Sequence, residues 1–121
     1  MSPITANEVR PATVLVVSGL ARHRVALSKV LTDRDWSTIA VATWNRAAQR
    51  GLHGADAIVT DTLTLAEPDA EQMLASVPLD VPVLAAPAGP KTPRWAHRRV
   101  LVMGTAEIAR HVRQRRPLGP G

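Results

Sequence analysis

Two carboxylates bracket the short segment "DAIVTD" at residues 56 to 61. A run of apolar and small residues of this length is typical of a strand buried on both faces. Asp61 therefore stands where a strand ends, and two interpretations are open. Its carboxylate is either displayed for chemistry, or it closes the strand by capping a turn and accepting backbone N–H bonds.

The absence of Cys and the placement of the His, Ser and Gly residues exclude several kinds of catalytic and binding site. The chain has no Cys, which excludes disulfides, thiolate catalysis and cysteine-ligated zinc. The four histidines are scattered among basic residues and predict no metal site. Ser18 and Ser28 lie outside any nucleophile elbow, and "VSGLAR" and "VMGTAE" hold one glycine each, unlike a phosphate-binding loop. We therefore expect no catalytic residue, no cofactor and no metal.

The elements that must position these groups follow from the spacing of apolar residues. Strands are predicted near residues 12–19, 36–43, 56–61, 81–87 and 99–104. Helices are predicted over 21–35, 44–54 and 66–77, and after the last strand with Thr105 as the N-cap. The side chains expected in the core are Ala26, Leu27, Val30, Leu31, Trp36, Trp44, Ala47, Ala48, Leu52, Ala70, Met73, Leu74, Val77, Ile108, Ala109 and Val112.

Strands that alternate with helices predict an α/β fold with a parallel sheet and right-handed crossovers. The alternation fails at "PAGPKTPRWAHR", residues 87 to 98, where three prolines prevent a regular helix before about Trp95. A loop or a single turn should replace the fourth helix there. We expect a flexible arm at residues 1–11, one domain at 12–115 and a disordered tail at 116–121.

This layout resembles the receiver domain of bacterial response regulators over nearly the whole chain. The residues that carry the resemblance are "VLVVSGLARHRVALSKVL" for the first strand and helix, "ADAIVTD" for the third strand and "VPVLAAPA" for the fourth. The resemblance implies a flavodoxin-like, doubly wound parallel sheet of five strands. It also implies that Asp61 occupies the phosphorylation position.

The remaining receiver positions differ in this chain. Ser18 and Gly19 stand where the family has the acidic pair that binds Mg²⁺, and Pro87 stands at the position of the hydroxyl residue. The family lysine is replaced around Met103 and Gly104. The resemblance therefore implies a degenerate receiver, a pseudo-receiver, without efficient phosphorylation, because phosphoryl transfer needs a divalent cation on oxygen ligands. The candidate crevice at the strand ends comprises Ser18, Gly19, Asp61, Thr62 and Pro87.

The charge is concentrated at the C-terminal end. The chain carries +5 overall, and residues 91–121 hold eight Lys or Arg and a single acid, Glu107. These cations either form a solvated face or attract an anionic partner. Trp95, in "KTPRWAHRR", either anchors that partner or folds back over the sheet. The candidate partner surface comprises Lys91, Arg94, Trp95, Arg110 and Arg113.

The resemblance implies a non-catalytic signalling module that binds a protein partner. That partner is either another protein or a second copy of the same chain. One alternative is a basic α/β domain that binds nucleic acid through its arginine-rich C-terminal region, and another is a binder of small ligands or an enzyme. No apolar run approaches the ~18 residues that span a bilayer, so no membrane partner is expected. The N-terminal segment has no cationic start like that of a signal peptide, which favours a cytoplasmic protein.

Overall fold

The computed structural model describes residues 12–31, 36–89 and 92–115. Five parallel strands form one sheet in the order β2-β1-β3-β4-β5. The strands are β1 (Ala12–Val17), β2 (Trp36–Val41), β3 (Ala57–Asp61), β4 (Val83–Ala86) and β5 (Val100–Val102). This is the strand order of the flavodoxin-like fold, so the predicted doubly wound sheet is confirmed. The predicted N-terminal arm and C-terminal tail lie outside the described residues.

Helices cover both faces of the sheet. The α-helices are α1 (Ala21–Leu31), α2 (Trp44–Arg50), α3 (Thr62–Leu65), α4 (Ala70–Ala75) and α5 (Thr105–Arg115), with 3-10 helices at Leu52–Gly54 and Arg94–Arg98. One face, which we call the α2–α4 layer, packs Trp44, Leu52 and Leu74 against the sheet. The opposite face, the α1–α5 layer, packs Leu27, Leu31 and Ile108. Among the described residues, no helix is long and apolar enough to cross a membrane.

The central strands are mostly apolar because both of their faces are covered, and β3 ends in the buried polar residues Thr60 and Asp61. Every residue of β3 and β4 is buried. In β1, alternate side chains enter the two layers: Leu15 and Val17 lie in the α2–α4 layer, and Val14 and Val16 lie in the α1–α5 layer. This arrangement explains why the sequence shows continuous apolar runs and not an alternation of apolar and polar residues.

Three predicted helices have different boundaries in the structure. The helix predicted over 44–54 is α2 (Trp44–Arg50) followed by the separate 3-10 helix Leu52–Gly54. Residues 66–77 were expected to form one helix, but α4 covers only Ala70–Ala75, and the separate short helix α3 follows β3 directly. Pro68 lies between α3 and α4, and its missing N–H and fixed φ keep a single helix from running through. Helix α5 begins at Thr105, so Gly104 and not Thr105 precedes the first helical residue. Glu107 Oε1 accepts the Gly104 N–H at 3.3 Å.

The core assignments hold with two exceptions: Ala26 is exposed on α1, and Ala48 on α2 is only partly buried and belongs to neither core cluster. Trp36 and Trp44 are both buried, as the sequence predicts. In the described part of the proline-rich segment, the single 3-10 helix Arg94–Arg98 stands in place of a fourth long helix. Consequently only part of β5 is covered: Val100 is 5% exposed, whereas Val102, on the same face, is 43% exposed.

Candidate functional site

Asp61 is the last residue of β3 and the N-cap of α3. Its backbone is extended, and Oδ1 accepts the Thr64 N–H at 2.7 Å. The side chain is fully buried. A carboxylate in this position satisfies a backbone donor that the helix itself leaves without an acceptor. Capping a turn is one of the two interpretations open for Asp61 from sequence, and the structure shows it.

The second carboxylate oxygen of Asp61 is also engaged. Ser18, directly after β1, donates its hydroxyl to Oδ2, and the same Ser18 oxygen accepts the Leu20 N–H at 3.2 Å. His23 Nδ1 lies 3.6 Å from Oδ2. A serine nucleophile needs a base beside its hydroxyl and access to substrate. Ser18 is fully buried, so no substrate reaches its hydroxyl. Its hydrogen bond to Asp61 joins β1 to β3, and His23 brings α1 to the same carboxylate.

A second carboxylate approaches this cluster. Glu67 Oε2 would lie 3.2 Å from a Cβ placed on Gly19, so the loop after β1 has little room for a side chain here. Gly19 donates its N–H to Thr64 Oγ1 at 3.0 Å. Burial raises the pKa of Glu67, and the nearby negative charge of Asp61 and then of Asp69 raises it further. Across the described residues, no group of three or more His, Asp or Glu could hold a metal ion.

The last two candidate crevice residues lie beside β4. Thr62 Oγ1 donates to the Ala88 carbonyl and accepts the Ala88 N–H at 2.7 Å, which ties the start of α3 to the chain after β4. Pro87 is exposed next to this link. The fold thus brings the predicted crevice residues to the carboxyl ends of three neighbouring strands. Their polar groups are largely used in bonds within the protein.

Sequence reasoning missed several members of this cluster. Thr64 and Glu67 were not singled out, nor was Arg24, whose guanidinium donates to the Ser18 carbonyl at 2.8 Å. One signal was present: Thr64 follows Asp61 by three residues, the spacing at which an N-cap side chain meets a backbone N–H. The position of Glu67 depends on how α3 folds, and no local pattern predicts it.

The predicted partner surface is divided by the sheet. Arg94 and Trp95 belong to the 3-10 helix on the α2–α4 side, whereas Arg110 and Arg113 belong to α5 on the other side. Lys91 lies outside the described residues. The doubly wound topology places the elements that flank β5 on opposite faces of the sheet, and β5 is the edge strand between them. A single partner surface formed by these residues stays a prediction.

Arg99 binds the backbone of the loop that precedes β4. Its guanidinium donates to the Pro78 carbonyl at 2.8 Å and to the Val81 carbonyl at 2.9 Å. Burial lowers the pKa of Arg99, and the negative charge of Asp80 partly offsets that effect. This cation therefore fixes the loop before β4 and is not an ordinary surface charge.

A groove lies between α4 and the 3-10 helix Arg94–Arg98, where a longer fourth helix would have packed. Its apolar part has a volume of about 180 Å³. The residues lining that part are Glu71, Leu74, Ala75, Val77, Leu79, Trp95 and Arg99. A more polar depression adjoins it and is lined by Glu71, Arg94, Trp95 and Arg98. Trp95 is half-buried against the core of the α2–α4 layer, so its ring both covers the sheet and forms a wall of the groove.

No family model matches the chain, and no curated protein matches it.

Proposed function

We propose that this chain is a non-catalytic regulatory module of the pseudo-receiver kind, which acts by docking a partner protein in the groove between α4 and the 3-10 helix Arg94–Arg98. Two lines of reasoning support the proposal. The first is the state of the Asp61 cluster, which is unsuited to phosphoryl transfer. The second, which carries the proposal, is the groove itself, with an aromatic wall, an exposed apolar rim and cations beside it.

The Asp61 cluster lacks what a phosphorylation site requires. An acceptor carboxylate must be open to the phosphoryl donor, and a divalent cation on oxygen ligands must neutralise the transferred group. Asp61 is fully buried, and its two oxygens bond to the Thr64 N–H and the Ser18 hydroxyl. Ser18 and Gly19 supply no carboxylate beside it. These features favour a module that works without a phosphoryl signal.

The groove has the composition of a protein-binding site. Binding energy at protein interfaces concentrates on large side chains, Trp and Arg above all, that sit in or beside apolar pockets. Trp95 forms one wall, and Leu79 at the rim is 86% exposed. A large apolar side chain at that exposure contributes nothing to the core, so its apolar surface is available to a partner.

The charges around the groove define the partner. Arg94 and Arg98 are exposed beside Trp95, and among the described residues Glu71 is the only acid that lines either part of the groove. An excess of cations favours a segment that carries carboxylates on either side of an apolar anchor side chain. A second copy of this chain, docked through the same groove, would bring two sets of arginines together. The charge pattern therefore favours a different, acidic protein.

A selection from random linear peptides tests this proposal, with the full chain as bait. We expect the recovered sequences to share an aromatic or aliphatic residue flanked by Asp or Glu. Leu79→Ser and, separately, Arg94→Glu should abolish their binding. Val25→Ser is the matched control, because Val25 is also highly exposed, at 67%, but lies on α1 on the opposite face.

Three outcomes would overturn the proposal. If the selected peptides shared no pattern of acidic and apolar residues, the proposed acidic partner would be refuted. Retained binding by Leu79→Ser would place the site elsewhere. A dimer in sedimentation equilibrium that Leu79→Ser dissociates would identify a second copy of the chain as the occupant.

A further inference from the structure

Helices α1 and α5 are far apart in sequence but adjacent in the fold. They contact each other and pack on the same face of the sheet, through Leu27 and Leu31 of α1 and through Ile108 and Val112 of α5. Both helices return from the carboxyl ends of parallel strands, so they run in the same direction. Their outer surfaces therefore form one continuous face, which we call the α1–α5 face.

The α1–α5 face carries an excess of positive charge. Helix α1 contains no acidic residue, and its side chains Arg22 and Lys29 are exposed. On α5, Arg110 and Arg113 are exposed, and the only acid is Glu107. The α1 cations belong to the N-terminal third of the chain, so the charge imbalance of the C-terminal region gives no hint of their contribution.

Helix geometry places these cations on the side that faces solvent. Arg22 and Lys29 are seven residues apart, so they align along α1 with about 10 Å between them. Arg110 and Arg113 are three residues apart, so they share one side of α5 at a rise of about 4.5 Å. Glu107 is the only acidic residue in either helix, so cations prevail on the exposed sides of both.

We propose that the α1–α5 face binds the phosphate backbone of a nucleic acid without recognising its sequence. Backbone binding needs guanidinium and ammonium groups and no aromatic or apolar anchor. Among the described residues of α1 and α5, Val25 is the only large apolar side chain that is exposed. Insertion into a membrane surface requires a broad apolar stripe, and a protein interface requires large anchors, so this face fits neither.

Fluorescence anisotropy with a labelled duplex DNA of mixed sequence measures this binding. If Arg22, Lys29 and Arg110 each neutralise one phosphate, the logarithm of the association constant should fall with the logarithm of salt at a slope of about −2.7. Affinity should then drop about 40-fold between about 50 and 200 mM salt. Duplexes of different sequence should bind equally well.

A pair of charge-matched variants locates the site. The first combines Arg22→Gln, Lys29→Gln and Arg110→Gln, and it leaves out Arg113 because that side chain has an interaction within the protein. We expect its salt slope to become shallower by about 2.7, with most of the affinity lost. All three side chains are exposed, so melting curves should match those of the wild type.

The control variant combines Arg46→Gln, Arg94→Gln and Arg98→Gln, three exposed cations of the α2–α4 layer. It removes the same net charge, and we expect it to keep the wild-type slope. If both variants lost DNA affinity equally, net charge alone would explain the binding, and the proposal would be overturned. Absence of binding at about 50 mM salt would also overturn it, since backbone binding is strongest there. Tighter binding to vesicles containing anionic lipid, lost in the first variant only, would reassign the face to a membrane.

Discussion

Replacement of Asp61 by Ala should destabilise the protein more than any other single change at the carboxyl edge of the sheet. The substitution removes the acceptor of the Thr64 N–H, and loss of an N-cap costs about 1 kcal/mol. It also removes the acceptor of the buried Ser18 hydroxyl, which adds about 1 to 3 kcal/mol. We therefore expect the free energy of unfolding to fall by about 2 to 4 kcal/mol.

Replacement of Asp61 by Asn separates these two contributions. An Asn oxygen caps a helix as well as an Asp oxygen does, so the bond to the Thr64 N–H survives. The amide group turned toward Ser18 is a donor, so the Ser18 hydroxyl loses the acceptor that Oδ2 of Asp61 provides. The loss should be about 1 to 2 kcal/mol, and the double substitution with Ser18→Ala should show a coupling energy of about 1 kcal/mol.

Urea unfolding followed by circular dichroism measures these free energies, provided that the slope with denaturant is unchanged. Asp69→Ala is the matched control: Asp69 is exposed at the N-terminus of α4, but its side chain makes no capping hydrogen bond. We expect that control to change stability by less than about 0.5 kcal/mol. If Asp61→Ala were as mild as Asp69→Ala, the structural role assigned to Asp61 would be refuted.

Three further predictions concern the same edge of the sheet and the core beneath it. Incubation with acetyl phosphate or beryllofluoride and Mg²⁺ should leave the mass of the protein and its tryptophan fluorescence spectrum unchanged, since Asp61 is buried. A stoichiometric adduct that is absent in Asp61→Asn would show a working phosphorylation site. Burial raises the pKa of Glu67, so its ionisation opposes folding, and stability should fall as pH rises through that pKa. Thermal melts at a series of rising pH values should show a smaller fall for Glu67→Gln, and an unchanged pH profile would contradict the assignment. Trp44→Phe should cost about 2 to 4 kcal/mol in urea unfolding, because it leaves a cavity and removes the 3.0 Å bond from Nε1 to the Thr64 carbonyl; a loss below about 1 kcal/mol would contradict it.

The groove and the α1–α5 face make separable predictions because the sheet lies between them. Leu79→Ser should remove peptide binding and leave the salt slope for DNA unchanged. The combined Arg22, Lys29 and Arg110 variant should do the opposite. If one set of substitutions abolished both activities, a general loss of folding would be the simpler explanation, and the melting curves would reveal it.

The sequence by itself determined the fold class and the extent of the core. Apolar runs such as that of β1 have no polar alternation, and this pattern is typical of strands whose two faces are both covered. The proline spacing in residues 87 to 98 predicted that no long fourth helix forms there, because proline lacks the N–H and restricts the residue before it. These are local properties, set by residue type and short-range periodicity, and the structure agrees with them.

Only the tertiary structure decided which groups meet. Ser18 and Asp61 are 43 residues apart, and their hydrogen bond exists because parallel strands end at the same edge of the sheet. The arginines of the C-terminal region look like one patch in sequence, but the sheet divides them between its two faces. Arg22 and Lys29 join Arg110 for the same reason, since the strand order places α1 beside α5. Contacts over such separations depend on the order and direction of the strands, which no local pattern of residues specifies.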